Sequence, residues 1–289
     1  MPISIVTPVY NRASLIGNLF QSLLKQDIFE FEWIVIDDGS TDNIKDVMHE
    51  FQSSSPFTIK FHQKENGGKP SAVNEGVKAA SYDWIYIVDS DDFIAQDAIS
   101  VISNDVMKIA DPSCAGMAYL KAFSDTGNIV GDKFNTKILD YKFFSGIKGD
   151  KALVLKRDLL KGNLFPIFDN EKFITEAFCW NVILDEYYLF TNNKVIYFCE
   201  YLEDGLTHDY CNLLKKNKQG TLAFVTSSLS LKNINLNIYK QAVYHFTPVM
   251  SGENLNRIKS KVPPIRYYTF RMLLVLSFFK KNLLKVLKN

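Results

Sequence analysis

Two kinds of hydrophobic run alternate along the first third of this chain. Ile3-Ser4-Ile5-Val6, Phe31 to Ile36, Thr58 to His62 and Trp84 to Val88 are short stretches rich in β-branched and aromatic residues. Such runs read as strands covered on both faces. Between them the apolar spacing becomes helical. Leu15, Ile16, Leu19, Phe20, Leu23 and Leu24 come in adjacent pairs every four residues, Ile44 to Phe51 makes a second segment, and Ala72 to Ala80 a third with a small-residue face. The order β-α-β-α-β-α-β predicts an α/β fold with a mostly parallel central sheet, right-handed crossovers and flanking helices. Pro8 disfavours helix at Thr7 and removes a sheet donor, so Thr7 to Arg12 is expected as a loop leaving the first strand. Beyond position 92 the pattern predicts a helix over Ile94 to Ala110, strands at Gly116 to Phe123, Ala152 to Arg157 and Val195 to Leu202, and helices at Leu222 to Leu231 and Ile238 to Phe246. Asp125-Thr126-Gly127-Asn128 is a turn signal joining two strands. Phe134 to Gly149 carries no readable period.

The apolar run Trp84-Ile85-Tyr86-Ile87-Val88 breaks into Asp89-Ser90-Asp91-Asp92. Carboxylates this close repel one another unless a cation neutralises them. Hard oxygen ligands at this spacing suit Mg2+ or Mn2+ held against a diphosphate. The plainer reading is an acidic turn before a helix. Three more polar loops leave strands at the same predicted edge, where open α/β sheets bind ligands. Thr7-Pro8-Val9-Tyr10-Asn11-Arg12 is a turn that also offers a stacking ring and a cation. Asp37-Asp38-Gly39-Ser40 is an Asp-Gly turn whose carboxylate could accept the imide N–H of a pyrimidine. Gly67-Gly68-Lys69 is a loop-to-helix junction that could present backbone N–H groups and a Lys charge to phosphate oxygens.

Composition narrows the class. The 289 residues are 47% hydrophobic and carry a net charge of +1, which argues for a globular chain and against a polyanion binder. Cys114, Cys179, Cys199 and Cys211 are scattered without CxxC pairing and read as reduced, mostly buried thiols rather than a zinc site or disulfide framework. The chain enters a strand at Ile3 without a signal-peptide pattern, which predicts no export, and Tyr267 to Phe279 is too short and too charged for a membrane span.

Taken together, Thr7-Pro8-Val9-Tyr10-Asn11-Arg12, Ile36-Asp37-Asp38-Gly39-Ser40-Thr41-Asp42, Asn66-Gly67-Gly68-Lys69 and Asp89-Ser90-Asp91-Asp92 resemble the motifs of the family 2 glycosyltransferases, with their GT-A fold. The resemblance implies an inverting transferase that uses a nucleotide-sugar, usually a UDP-sugar, and a divalent metal. It places Thr7, Pro8, Tyr10 and Arg12 around base and ribose, Asp38 or Asp37 on the base, Gly68 and Lys69 at the phosphates, Asp89 and Ser90 at the ribose or donor sugar, and Asp91 on the metal, Mg2+ or Mn2+. It divides the chain into a catalytic domain over 1–215, with a nucleotide-binding half over 1–92 and an acceptor-binding half over 93–215, and a helical region over 216–289. The absence of GxGxxG after the first strand sets it apart from dinucleotide-binding dehydrogenases.

An inverting transfer needs one carboxylate to take the acceptor's proton. Members of the resembled family often carry a Glu-Asp pair for this, whereas here the pair reads Glu176-Ala177. Either Glu176 takes the role or the base lies at Asp169 or Glu171. The structural alternative for Glu176 is a first-turn carboxylate favoured by the helix dipole, with Thr175 as cap. Trp180 is core or the floor of an acceptor site. His208, in the loop Glu203 to His208, is a weak metal or phosphate candidate beside the ordinary reading of an exposed loop His.

From Arg257 on the tail carries nine basic residues and no acidic one, interleaved with Leu273, Leu274, Leu276, Phe278, Phe279, Leu283, Leu284 and Leu287. A basic amphipathic helix suits an anionic leaflet; a C-terminal helix packed on the domain is the alternative. Nothing accompanies the basic content that would read a nucleic acid. The expectation is a cytoplasmic enzyme at the inner face of the membrane, acting on a glycan or lipid-linked glycan in surface-polysaccharide biosynthesis. A nucleotidyltransferase and an inactive nucleotide-sugar-binding assembly partner are the competing readings, the second kept open by the absent Asp at 177.

Overall fold

The computed structural model describes residues 1–140, 144–200 and 209–286, with side chains to residue 279. Its strands are β1 (Ile3–Val9), β2 (Phe31–Asp37), β3 (Thr58–Gln63), β4 (Trp84–Ile87), β5 (Phe93–Ile94), β6 (Cys114–Phe123), β7 (Ile138–Leu139), β8 (Lys151–Lys156) and β9 (Tyr188–Cys199). They form one sheet in the order β3-β2-β1-β4-β8-β6-β9-β5, with β7 on β9. The first four are parallel, as the βα alternation requires. β8 enters antiparallel to both β4 and β6, and β6 runs parallel to β9. Helices α1 (Ile16–Leu24), α2 (Ile44–Ser54), α3 (Lys69–Ala79) and α4 (Ala98–Val106) follow β1, β2, β3 and β5.

β1 and β2 are buried along their whole length because both faces are covered. Period two divides their side chains. Ile3, Ile5, Trp33 and Val35 pack with Leu19, Phe20 and Met48, while Val6, Ile34 and Ile36 pack with Ala72, Val73 and Val77 of α3. The small face of α3 is a packing requirement, since a Cβ on Gly76 would lie 2.3 Å from Val6 Cγ1.

Several boundaries differ from expectation for definite reasons. β1 continues through Pro8 to Val9 instead of ending at Thr7. The Val6 carbonyl accepts from Val88 N and the Val9 carbonyl from Asp38 N, so even positions of β1 face β4 and odd ones face β2. Pro8 faces the side where pairing with β4 has already stopped at Val6, so no ladder bond is lost. Ile94, expected to open a helix, instead lies with Phe93 in β5, where the two pair with Tyr197 and Phe198, and α4 starts only at Ala98. α3 begins three residues early, at Lys69, which places Gly68 at its N-cap. The turn at Asp125–Asn128 closes on a single bridge between Ala122 and Ile129. β9 starts at Tyr188, and residues 201 and 202, expected at its end, lie outside the described residues.

After α5 (Arg157–Gly162) and α6 (Ala177–Glu186) come α7 (Tyr210–Lys216), α8 (Lys218–Ser230), α9 (Leu236–Phe246), α10 (Gly252–Lys259) and α11 (Pro264–Val286). The last four gather Leu222, Phe224, Val225, Phe246, Ile258, Phe270 and Leu274 into a cluster of their own, which abuts Ala177 and Phe178 of α6. Cys114 and Cys179 are buried, Cys211 is exposed, and all four thiols are free.

The amino-terminal edge of the sheet is fastened by Glu32, 2% exposed. Its carboxylate accepts from Ser4 Oγ at 2.6 Å and Ser81 N at 2.6 Å, and pairs with Lys60 Nζ at 2.7 Å. Burial alone would raise its pKa, yet Lys60 and these donors outweigh burial and hold it below the ordinary range. The stabilisation is present above the unfolded carboxyl's pKa and is lost as pH falls through the folded one. Glu32→Gln is therefore expected to lower the unfolding free energy by about 2–4 kcal/mol at pH 7. In urea melts taken from pH 7 to pH 3 the gap to the wild type should close as pH drops below about 4.

Candidate active site

The carboxyl ends of the parallel strands bring the four motifs to one edge, and side-chain bonds stitch them together. Asn11, at φ 52°, accepts from Thr41 N at 2.8 Å through Oδ1, and its own N–H donates to Ser40 Oγ at 2.9 Å. Asp42 accepts from Ala13 N at 2.9 Å. These bonds fix the loop that carries Tyr10, 48% exposed, and Arg12, whose Nε lies 4.0 Å from Asp91 Oδ2. Thr7 and Pro8 lie underneath, in β1. Thr7 is fully buried, its hydroxyl accepting from Trp33 Nε1 at 2.9 Å.

Asp37 and Asp38 are both buried and both engaged. Asp37 accepts from Ser40 N at 2.9 Å and Gln63 Nε2 at 3.0 Å. Asp38 accepts from Lys64 Nζ at 2.9 Å and from the backbone N–H of Gly67 at 2.9 Å and Gly68 at 2.7 Å. The Gly67 and Gly68 N–H groups that the loop was expected to offer a phosphate thus donate to Asp38 here. Gly68 itself is dictated by packing. It sits at φ 86°, and a Cβ on it would lie 1.9 Å from the Lys172 carbonyl oxygen.

Lys172 belongs to a strap, 163–176, that crosses from α5 to α6. Asn74 of α3 holds its start, donating to Phe165 O at 2.8 Å and accepting from Phe165 N at 2.9 Å. Asn217 holds its middle, accepting from Lys172 N at 2.9 Å and Phe173 N at 3.1 Å. Glu171 gives both carboxylate oxygens to Gln219 N and Gly220 N, at 2.8 and 2.9 Å, in the first turn of α8. That commitment makes Glu171 a helix cap. Asp169 is exposed in the turn beside Asn170.

Glu176 stands at the strap's end, in the N-cap position of α6, yet it makes no capping hydrogen bond. Its Oε1 lies 2.7 Å from Lys69 Nζ, and the same Nζ lies 2.7 Å from Asp89 Oδ1. Lys69 therefore ties the glycine loop to the acidic motif and to the strap at once. Burial would lower the Lys69 pKa, but the two carboxylates outweigh it and raise it. Asp89 is likewise pushed up by burial and brought below the ordinary carboxylate range by Lys69 and Lys121. Its neighbours lack that compensation. Burial and the Asp89 charge raise Asp91, and the same two causes bring Asp92 up to about 7.

Two residues of this site carried no motif. Tyr197 of β9 donates to Asp92 Oδ2 at 2.5 Å, and its oxygen accepts from Asp89 N at 3.1 Å, so a single phenol positions both ends of the acidic motif. Lys121 of β6 lies 4.0 Å above the Tyr197 ring. Tyr197 and Lys121 line a pocket together with Asp89, Lys151, Glu176 and Trp180. Trp180 is half-buried, at the core's edge and in the pocket wall at once. Ser90 is buried, and His208 lies outside the described residues.

Among the described residues no three His, Cys, Asp or Glu side chains converge so as to hold a metal by themselves. A divalent cation shared with a diphosphate needs only one or two protein carboxylates, the rest of its shell being phosphate oxygens and water. Asp91, its charge opposed by Asp89 and burial, fits that demand.

The sequence model described as glycosyl transferase family 2 matches residues 4–152, which run from β1 to the start of β8 and contain all four motif loops. This chain belongs to that family. Among curated relatives, glycosyltransferase GlyG of Streptococcus pneumoniae serotype 4 is 29% identical over 152 residues, 53% of this chain and 46% of that protein. The poly-beta-1,6-N-acetyl-D-glucosamine synthase of Staphylococcus epidermidis is 36% identical over 107 residues, 37% of this chain and 26% of that protein. The chain thus spans about half or less of the length of these relatives. Two solved structures extend the likeness over nearly the whole chain. Staphylococcus aureus TarS in complex with UDP-GlcNAc superposes with a TM-score of 0.61 at 18% identity, covering 93% of this chain and 79% of that one. The mannosyltransferase PcManGT from Pyrobaculum calidifontis in complex with GDP-Man and Mn2+ gives 0.56 at 16% identity, covering 96% and 81%. At such identities the likeness speaks for the fold, which is of the GT-A type with a helical C-terminal region.

Gly68 offers a clean test of the strap contact. Gly68→Ala is expected to cost at least about 3 kcal/mol, since a left-handed backbone and a backbone clash add. Gly17→Ala, in α1 with nothing within 4 Å of the new methyl, should be neutral or stabilise by up to about 1 kcal/mol. Denaturant melts of the two variants measure the contrast.

Proposed function

We propose that this chain transfers a sugar from a nucleotide-sugar, a UDP-sugar, to a glycan or lipid-linked glycan acceptor with inversion at the anomeric carbon, in surface-polysaccharide biosynthesis. The observation that carries the reading is the Lys69 bridge, 2.7 Å from both Asp89 and Glu176. In this reading that cation stands between the place where a diphosphate would lie, at the N-terminus of α3, and Glu176, a strap carboxylate that makes no capping hydrogen bond. The UDP-GlcNAc bound by the TarS structure and the names of the curated relatives support the donor and acceptor classes.

The chemistry follows from charge. Tyr10 and Arg12 frame the base and ribose, with Asp37 and Asp38 shaping the floor beneath them, and Asp89 and Ser90 lie toward the ribose and sugar. A diphosphate competes for Lys69 and draws its charge off Glu176, which frees that carboxylate when donor is present. Glu176 then takes the proton of the acceptor hydroxyl. The freed oxygen attacks the anomeric carbon from the face opposite the nucleotide, and the bond to the diphosphate oxygen breaks, inverting the centre. A divalent ion, Mg2+ or Mn2+, held by Asp91, would supply Lewis-acid stabilisation of the leaving diphosphate; the Mn2+ in the PcManGT structure supports this. Trp180 and the pocket it walls with Glu176 receive the acceptor. The reading includes a peripheral contact of the C-terminal helix with the inner face of the membrane, where a lipid-linked acceptor would be held.

Purified protein incubated with UDP-, GDP- and dTDP-sugars and Mn2+ should release the nucleoside diphosphate from one nucleotide class, and no pyrophosphate. Glu176→Gln is expected to lower turnover by about 10²–10⁴ while donor affinity, read by calorimetry, stays within a few fold. Lys69→Met should weaken donor binding by about 10- to 100-fold, as the loss of a charge-assisted phosphate contact predicts. Binding of a nucleotide-sugar without turnover under any acceptor would reduce the chain to a binder; full activity in Glu176→Gln would move the base elsewhere.

A further inference from the structure

Helix α11 has two apolar faces. Tyr267, Phe270 and Leu274 are buried in the helical cluster, where the Phe270 ring meets Phe246 edge-on at 5.4 Å. The other face carries Ile265 (77% exposed), Tyr268 (61%), Met272 (57%), Val275 (45%), Leu276 (55%) and Phe279 (66%). At 3.6 residues per turn these six fall within a stripe about 100° wide, roughly opposite the buried residues. Single exposed apolar side chains are ordinary; a row of six large ones along one helix marks a surface that is covered in use.

Charge decides between the occupants. After Glu253 the sequence has no acidic residue, while Arg257, Lys259, Lys261, Arg266, Arg271, Lys280, Lys281, Lys285 and Lys288 are basic. Two of these are spent inside the protein. Arg257 pairs with Glu253 at 2.7 Å, and Arg266 donates to the Leu229 and Leu231 carbonyls at the end of α8. Among the described residues Lys259, Lys261 and Arg271 make no ion pair, and Lys280, Lys281, Lys285 and Lys288 follow in the sequence. A second copy docked through α11 would set cations against cations, whereas an anionic lipid surface accepts both the row of apolar side chains and the charges around it. Among the described residues no helix is long and apolar enough to cross a membrane, and α11 is anchored to the protein through Tyr267, Phe270 and Leu274, so it would lie flat.

We propose that α11 lies in the plane of an anionic leaflet with Ile265, Tyr268, Met272, Val275, Leu276 and Phe279 inserted among the lipids. This rests on the peripheral contact proposed above and names the face that makes it, independently of the transfer chemistry. The lysines supply a salt-sensitive attraction, and the stripe supplies an attachment that salt leaves in place.

The test is sedimentation of the full chain with vesicles of phosphatidylcholine alone or with one-quarter phosphatidylglycerol, at low and high salt. The wild type should bind the phosphatidylglycerol vesicles and retain part of that binding at high salt. Met272→Glu/Leu276→Glu should weaken binding at least about tenfold at both salts, with melting temperature and donor hydrolysis unchanged, since both side chains face water. Equal binding by the double variant would overturn the stripe while leaving a purely electrostatic membrane contact standing. Indifference of the wild type to phosphatidylglycerol would overturn the stripe and the membrane contact together. A wild-type dimer in sedimentation velocity that the double variant loses would assign the stripe to a contact between copies and overturn the lipid reading.

Discussion

A carboxylate taken out of water has to be met by a cation or by donors, and the C-terminal edge of this sheet is organised by that constraint. Asp37, Asp38, Asp89, Asp91 and Asp92 crowd one rim. Asp38 is met by Lys64 and two backbone N–H groups, Asp92 by the Tyr197 phenol, and Asp89 by Lys69. Asp91 is met least, by Arg12 at 4.0 Å, and its pKa rises under burial and the Asp89 charge. The balance is local and incomplete. A site whose carboxylates are almost but not wholly compensated favours the entry of a cation, and one whose lysine is shared between two carboxylates can give part of that charge to an incoming anion.

The close approach of the glycine loop and the support of the strap serve the same end. Gly68 brings the backbone of the loop against the backbone of Lys172, and Asn74, Asn217 and Glu171 hold the strap from α3 on one side and α8 on the other. Glu176 is thereby delivered to Lys69 by a segment with little regular structure of its own. The helical region does more than append a tail, because the first turn of α8 is where Glu171 and Asn217 act. Loss of that region would release the strap and with it the carboxylate that meets Lys69.

The mixed half of the sheet contributes by position rather than by motif. β8 is inserted antiparallel between β4 and β6, and β6 carries Lys121 beside Tyr197 of β9. Tyr197 reaches back across the sheet to the acidic loop after β4 and fixes its two ends. Replacement of the motif's own side chains would thus disturb chemistry, whereas the conformation of the motif depends on a strand more than a hundred positions later.

The resemblance to the family singled out Lys69, Asp89, Asp91 and Glu176 as candidates; the sequence by itself determined the parallel βα half and the edge at which the four motifs gather. Those features are local: strand and helix periods, turn chemistry and the crowding of like charges are all written within a few neighbouring residues. Only the tertiary structure decided that Pro8 stays in a strand, that Glu171 caps a helix while the neighbouring Glu176 does not, that Asp38 takes the glycine loop's N–H groups, and that Tyr197 and Lys121 belong to the site. Each of these depends on which backbone or side chain arrives from far along the chain to satisfy a buried polar group. Such partners leave no periodicity behind, because a hydrogen bond between positions 92 and 197 constrains the fold without patterning either stretch.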